Sequence, residues 1–130
     1  MCFRFITIEK ADQGLIRRKE IASIYDKAFE NVGLKHLINP TGFSNAYHLY
    51  VIEVENRKEV YDYLRANSIY AQIHYLPVHQ LSYYKSLGYD SKAFPNANHY
   101  YERCISLPMF PTLKDEEQAF VIEKVLEVAK

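Results

Sequence analysis

The sequence has 130 residues, a length typical of a single domain with a real core. Sixteen lysines and arginines balance sixteen aspartates and glutamates, so the charge gives no support for a nucleic-acid or anionic-membrane partner. Cys2 and Cys104 stand far apart, in no metal or redox spacing, and residues 1–8 lack a signal-peptide pattern. These features favour reduced thiols and a cytoplasmic location.

The first predicted element is a long helix over residues 8–32. Apolar side chains recur there at three- and four-residue spacing, and Gly33 is placed to end the helix as a C-cap. Such a helix could link two domains, lie along a partner or cover the domain's own sheet, and the sequence leaves these alternatives open. We divide the chain into a linking helix, residues 1–33, and a small domain, residues 34–130. The apolar stripe consists of Ile8, Ala11, Leu15, Ala22, Tyr25, Phe29 and Val32.

The next stretch predicts a connection, two strands and a helix. Residues 34–44 show no period and contain glycine and proline, which is typical of a connection. Residues 46–54 form a near-continuous apolar run, which predicts a strand covered on both faces. Asn56 is expected to cap a helix over residues 57–67. Alternating aromatic and branched side chains then predict a strand over residues 70–75, which Pro77 ends.

The last third predicts short helices, an extended segment and a final helix. Residues 81–87 and 96–104 are expected to be helical, the first closed by Gly88 and the second started by Pro95. Residues 105–111 contain two prolines and are expected to be extended, and residues 112–115 resemble a capping box for the last helix. The order predicts an α+β fold, a small, mainly antiparallel three-stranded sheet covered by helices and preceded by the long linking helix.

Histidines are the main candidates for chemistry. His74 and His79 lie at or just past the end of a predicted strand, where a sheet can aim polar groups into a cleft. Their five-residue separation across a proline is not the helical pair of a zinc site, so a polar ligand or an ordinary loop position is favoured over a metal. His48 is interpreted as a bonded core histidine, and His36 and His99 as surface residues. No catalytic triad or phosphate loop has recognisable context.

Six short motifs cover nearly the whole chain. They are Arg18-Lys-Glu-Ile-Ala22 with Tyr25, Tyr47-His-Leu-Tyr-Val-Ile52, His74-Tyr-Leu-Pro-Val-His79, Tyr100-Tyr-Glu-Arg103, Ser106-Leu-Pro-Met-Phe-Pro111 and Asp115-Glu-Glu-Gln118. In this order they resemble the C-terminal small domain of the DegT/DnrJ/EryC1/StrS sugar-nucleotide aminotransferases, which are pyridoxal-phosphate enzymes of fold type I. The third motif is most similar to the branch that aminates UDP-linked 4-keto-6-deoxy N-acetylhexosamines, as in pseudaminic-acid synthesis.

This resemblance implies a function for the complete enzyme. It would move an amino group from glutamate to a sugar 4-keto carbon, with pyridoxal 5'-phosphate as the electron sink. In the family the cofactor lysine and the phosphate cradle belong to a large N-terminal domain that this sequence lacks. We therefore expect a fragment that is inactive alone and binds no cofactor. His74, Tyr75 and His79 are expected to contact the sugar nucleotide, whereas His48 and Tyr100 are weaker candidates with a structural role.

Two other interpretations stay open. The chain could be a non-catalytic domain that forms a homodimer or pairs with a separately encoded large domain, which the long amphipathic helix would favour. It could also be a small ferredoxin-like ligand or RNA binder, which the balanced charge disfavours.

Overall fold

The computed structural model describes residues 3–129, with side chains for residues 10–90 and 92–129. Its helices are α1 (Phe3–Phe29), α2 (Arg57–Ala66), α3 (Ser82–Ser86), α4 (Pro95–Arg103) and α5 (Asp115–Val128). Its strands are β1 (Lys35–His36), β2 (Tyr50–Glu53) and β3 (Cys104–Leu107). Short 3-10 turns occur at Glu30–Val32, Val78–Gln80 and Ser91–Ala93.

The three strands form one antiparallel sheet in the order β1-β2-β3. Ile52 of β2 lies opposite His36 of β1 and opposite Ile105 of β3. Helices α1, α2 and α5 pack with this sheet into one apolar core. The predicted α+β class with a small antiparallel sheet is confirmed.

Helix α1 covers the domain's own sheet with its C-terminal half. Ile21, Ala22, Tyr25 and Phe29 are fully buried in the core, whereas residues 10–13 are exposed. The helix ends at Phe29, and the 3-10 turn that follows leads to Gly33, whose φ of 69° is the left-handed C-cap predicted from the sequence. Val32 was assigned to the buried stripe wrongly, because the tighter turn leaves it 49% exposed. The Ile8 side chain lies outside the described ones.

The expectations for residues 34–54 were wrong in three respects. Residues 34–44 were expected to be a connection, but β1 lies within them, since two paired residues are too short to show a period. The strand expected over residues 46–54 is limited to Tyr50–Glu53, because Tyr47 has a φ of +48° and its N–H bonds to the Asn45 side chain. Burial alternates along β2, so its apolar run is covered fully on one face only.

The strand expected over residues 70–75 is a single bridge between Gln72 and Ser106. The Gln72 N–H donates to the Ser106 carbonyl at 3.0 Å, and the Ser106 N–H donates to the Gln72 carbonyl at 2.7 Å. Alternating side chains indicate an extended backbone, but they do not provide a ladder partner for each residue. This bridge attaches the segment to the free edge of β3.

Helix ends follow the sequence signals only in part. Asn56 precedes α2 without a side-chain capping bond, so its predicted cap was wrong. The capping box expected at residues 112–115 was placed two residues too early, because the N-cap of α5 is Lys114. The Lys114 N–H donates to the Glu117 carboxylate at 3.0 Å, and a lysine side chain offers no acceptor for the reciprocal bond. None of the described helices is both long and apolar enough to cross a membrane.

Candidate functional site

The candidate site is the histidine turn, defined as residues 73–81, which begins just after the Gln72–Ser106 bridge. The 3-10 turn Val78–Gln80 and the following α3 complete the change of direction. The bridge fixes one end of the histidine turn to β3, and side-chain bonds to α4 fix the other end. A rigid support on both sides can hold polar groups at defined positions.

His74 is half-buried and lies beside the end of the bridge. Its Nδ1 is 2.9 Å from the hydroxyl oxygen of Ser106, a residue that is only 5% exposed. The imidazole meets the Tyr75 ring edge-on, with the ring centroids 4.7 Å apart. The peptide bond between these two residues is cis. His74 is therefore anchored at one ring nitrogen without being sealed in the core.

Tyr75 is the most open of the predicted site residues. Its side chain is 75% exposed, next to the half-buried His74. Leu76 and Val78 are exposed as well, so the outer side of the histidine turn presents an aromatic ring and aliphatic groups to the surroundings. Such a surface can pack on the apolar face of a ligand or of another protein segment, while a phenol supplies a hydrogen bond.

His79 is held inside a hydrogen-bonded corner. It is 8% exposed, its Nε2 lies 2.8 Å from Oδ1 of Asn98, and its ring stacks on Phe94 with centroids 4.6 Å apart. The Gln80 side-chain amide donates to the same Asn98 oxygen at 2.7 Å. This corner joins the histidine turn to α4. Ser106 and Asn98 were missed in the sequence, although Ser106 begins the proline-rich motif, because a lone serine or asparagine carries no signal of its partner.

Two other histidines were interpreted wrongly. His48 is exposed and lies before β2, because the ladder starts only at Tyr50. His36 is half-buried rather than on the surface: its Nε2 is 3.4 Å from the Asp26 carboxylate, and its ring stacks on Tyr50. Pairing of β1 with β2 brings these groups together, which the sequence did not predict. His99 is exposed, as expected.

Cys104 is the first residue of β3, and Tyr100 lies near the C-terminal end of the preceding α4. Cys104 is a buried free thiol, and burial raises its pKa. Burial also raises the pKa of Tyr100, whose side chain is still 44% exposed. Cys2 lies outside the described residues. Within the described part of the chain, histidines, cysteines and acids form no group of three that could bind a metal ion.

A pyridoxal-phosphate site would need a lysine in a recess that also accepts a phosphate group. All described lysines are exposed except Lys124, which pairs with Glu123 and Glu127. Lys35 borders a recess of about 230 Å³, but Glu53 and Glu55 line that recess too, and their charge would oppose a phosphate group.

Arg103, the second cation in the same recess, is already paired. Its guanidinium bonds both carboxylate oxygens of Glu55, which lowers the pKa of Glu55. Lys35 is then the one described cation of this recess that forms no ion pair, and it stands beside the carboxylates of Glu53 and Glu55. The two carboxylates and the paired Arg103 make this recess a poor fit for the phosphate of the cofactor.

Comparison with known proteins identifies the chain's relatives. The model of the DegT/DnrJ/EryC1/StrS aminotransferase family matches residues 5–126. The chain is 36% identical to the spore coat polysaccharide biosynthesis protein SpsC of Bacillus subtilis, over 95% of this chain and 34% of that protein. It is 28% identical to the UDP-4-amino-4,6-dideoxy-N-acetyl-beta-L-altrosamine transaminase of Campylobacter jejuni, over 93% of this chain and 34% of that enzyme.

A solved structure gives the same result. Spr1654 from Streptococcus pneumoniae, assigned as a sugar aminotransferase, superposes with a TM-score of 0.90 at 30% identity, over 96% of this chain and 33% of that protein. It has been solved with pyridoxal phosphate and in its pyridoxamine form, so family members bind this cofactor. The chain spans about a third of the length of the relatives it matches. It belongs to the DegT/DnrJ/EryC1/StrS aminotransferase family.

Proposed function

We propose that this chain forms the small-domain wall of an aminotransferase that carries an amino group from glutamate to the 4-keto carbon of a 4-keto-6-deoxy sugar nucleotide. The observation that carries the proposal is the His74–Tyr75 pair, which stands on the outer side of a turn anchored to β3 in a chain of this family. The relative from Campylobacter jejuni, whose name specifies a UDP-linked amino sugar, supports a UDP-linked substrate.

The proposed work of this wall is binding and orientation. His74 has one ring nitrogen bonded to Ser106, and its other ring nitrogen can bond an oxygen of the sugar or of the diphosphate. Tyr75 would supply a ring face and a phenol beside it. His79 would contribute mainly by fixing the histidine turn, since its Nε2 already bonds Asn98. Holding the keto carbon in place lowers the entropic part of the barrier to amine transfer.

We also propose that the chain alone has no transaminase activity. The reason is chemical: among the described residues no lysine lies in a site suited to a Schiff base with a bound phosphate. The test is to add pyridoxal phosphate and glutamate to the purified chain. We expect no imine absorbance band that survives dilution and no glutamate turnover, and either one would contradict the proposal.

Binding to the histidine turn can be mapped directly by NMR. We expect addition of UDP-N-acetylglucosamine, a stable UDP-sugar, to shift the ring signals of His74 and Tyr75. The exposed His99 serves as an internal control, and its ring signals should not move. Shifts confined to residues around the Lys35 recess would contradict the placement. Equal shifts with inorganic diphosphate would locate the contact at the diphosphate rather than at the sugar.

A second candidate function is a non-catalytic domain that associates with itself or with a large-domain partner. It is favoured by the apolar and aromatic side chains exposed between residues 75 and 94. Size measurement across a concentration series distinguishes the two. Self-association would appear as a mass that rises with concentration, whereas a constant monomer mass would count against the homodimer. The exposed side chains are Tyr75, Leu76, Val78, Leu81, Tyr83, Leu87, Tyr89 and Phe94.

A further inference from the structure

The Ser106 hydroxyl has a restricted choice of partners. Ser106 is 5% exposed, and its backbone N–H and carbonyl are both used in the bridge to Gln72. Its hydroxyl oxygen lies 2.9 Å from Nδ1 of His74, and this is its one side-chain hydrogen bond among the described residues. The direction of this bond, and so the position of its proton, decides what His74 can offer to a ligand.

A hydroxyl can donate one hydrogen bond and accept others, and a neutral imidazole carries its proton on one nitrogen only. If Nδ1 of His74 carried the proton, the Ser106 oxygen would accept it, and the buried Ser106 O–H would face no acceptor among the described residues. If the hydroxyl donates to a bare Nδ1, both groups are satisfied. Because buried donors without acceptors are rare and destabilising, the second arrangement is favoured.

We propose that Ser106 is a positioning residue whose hydroxyl donates to Nδ1 of His74 and so fixes the tautomer that carries its proton on Nε2. The half-buried imidazole then presents an N–H donor, which selects a ligand atom that accepts: a carbonyl, hydroxyl or phosphoryl oxygen. The assignment of that oxygen to a sugar nucleotide rests on the proposed function. The tautomer itself does not.

The Ser106 hydroxyl and the Gln72–Ser106 backbone bridge together determine the position of the His74 ring. The bridge at Gln72 sets the distance between the histidine turn and β3, and the hydroxyl sets the orientation of the ring. Loss of the hydroxyl alone should therefore leave the fold in place and free the imidazole to exchange its proton between the two nitrogens.

Two variants of similar shape separate these effects. Ser106→Thr keeps the hydroxyl and adds a methyl group, and Ser106→Val has two methyl groups and nearly the volume of threonine, so the Thr and Val variants differ mainly in the hydroxyl. Branched residues are favoured in a strand, so both are compatible with β3. Ser106→Ala serves as a second variant without the hydroxyl if valine prevents folding. Far-UV circular dichroism of all four proteins controls for folding.

The measurement is 15N NMR of the His74 ring in the full chain, at a pH well above the ordinary histidine pKa. We expect the wild type and Ser106→Thr to carry the ring proton on Nε2. In Ser106→Val or Ser106→Ala, the Nδ1 signal should shift toward the protonated position as the second tautomer becomes populated. A wild-type ring protonated mainly at Nδ1, or the same tautomer balance with and without the hydroxyl, would overturn the proposal. Since no ligand is present, this outcome is separate from the UDP-sugar mapping.

Discussion

The hydroxyl of Tyr25 offers a sharp test of how α1 is joined to the segment after β3. Tyr25 is fully buried, and its hydroxyl donates to the Pro108 carbonyl at 3.0 Å. Its ring packs against Phe29 and Tyr50, with centroids 5.8 Å and 4.8 Å away. Tyr25→Phe removes the hydrogen bond and leaves the ring contacts, so the change isolates one polar interaction between helix and segment.

We expect Tyr25→Phe to lower the free energy of unfolding by about 1–2 kcal/mol. That is the cost of one buried hydrogen bond together with a carbonyl left without its donor. The loss should stay below the 3–5 kcal/mol typical of removing a whole buried aromatic ring. Tyr70→Phe is the matched control, because the Tyr70 ring is exposed and the change in chemistry is identical. It should change stability by less than about 0.5 kcal/mol.

Urea denaturation followed by far-UV circular dichroism measures both variants. With a slope near 2 kcal/mol per molar, the expected loss moves the midpoint of Tyr25→Phe down by about 0.5–1 M, with no change in slope. A midpoint equal to that of Tyr70→Phe would show that the bond contributes nothing. A loss above about 3 kcal/mol would show that the ring itself had moved, and either result would refute the reasoning.

Three further predictions concern buried tyrosines, the contacts of Arg18 and the glycine that follows the first helix. Burial raises the pKa of Tyr25, and burial with a bond to Asp26 raises that of Tyr50. Tyrosines in the unfolded chain therefore lose their protons first, above about pH 10. The free energy of unfolding should then fall by up to about 1.4 kcal/mol per pH unit for each buried tyrosine. Tyr25→Phe should reduce this slope, measured by urea titrations at rising pH. An unchanged slope would contradict this. Arg18→Met removes one guanidinium nitrogen whose two N–H groups contact three backbone carbonyls at 3.0–3.1 Å, and it should cost about 2–3 kcal/mol, partly restored by lysine. A methionine variant as stable as the wild type would show these bonds to be replaceable by water. Gly33→Ala should cost about 1–2 kcal/mol in thermal unfolding, because φ is 69° and no atom crowds the site. A stabilised variant would argue that this residue changes its backbone conformation.

Side-chain periodicity predicted the helices better than the strands. In a helix, residues three or four apart in sequence lie on the same face. Tyr25 and Phe29 could therefore be placed in the core from their spacing alone. A strand depends on a partner elsewhere in the sequence. The pairing of His36 with Ile52 and the single bridge at Gln72 therefore left no local signal.

The same limit applies to the candidate site. His74 and His79 could be singled out because Pro77 between them predicts a turn, and the structure places both on it. Their partners could not be predicted: Ser106 is 32 residues from His74, and Asn98 is 19 residues from His79. The different burial of the two histidines follows from those partners. The family could be identified from the sequence because the six motifs occur in the family's order along the chain. That order can be read even where a segment is too short for its side-chain pattern to predict strand pairing.

The most direct test of the proposed function joins this chain to a large domain from a relative, so that the proposed pocket is complete. The corresponding third of the Campylobacter jejuni transaminase is replaced by this chain, and the reactions with glutamate and with the sugar nucleotide are measured separately in the active chimera. His74→Ala removes one proposed hydrogen bond to the substrate. We therefore expect it to slow the sugar-nucleotide reaction about tenfold, which corresponds to about 1.4 kcal/mol, and to leave the glutamate reaction unchanged. His99→Ala, at an exposed histidine, should change neither. Equal loss in both reactions, or loss in neither, would contradict the assignment of His74 to the sugar-nucleotide wall.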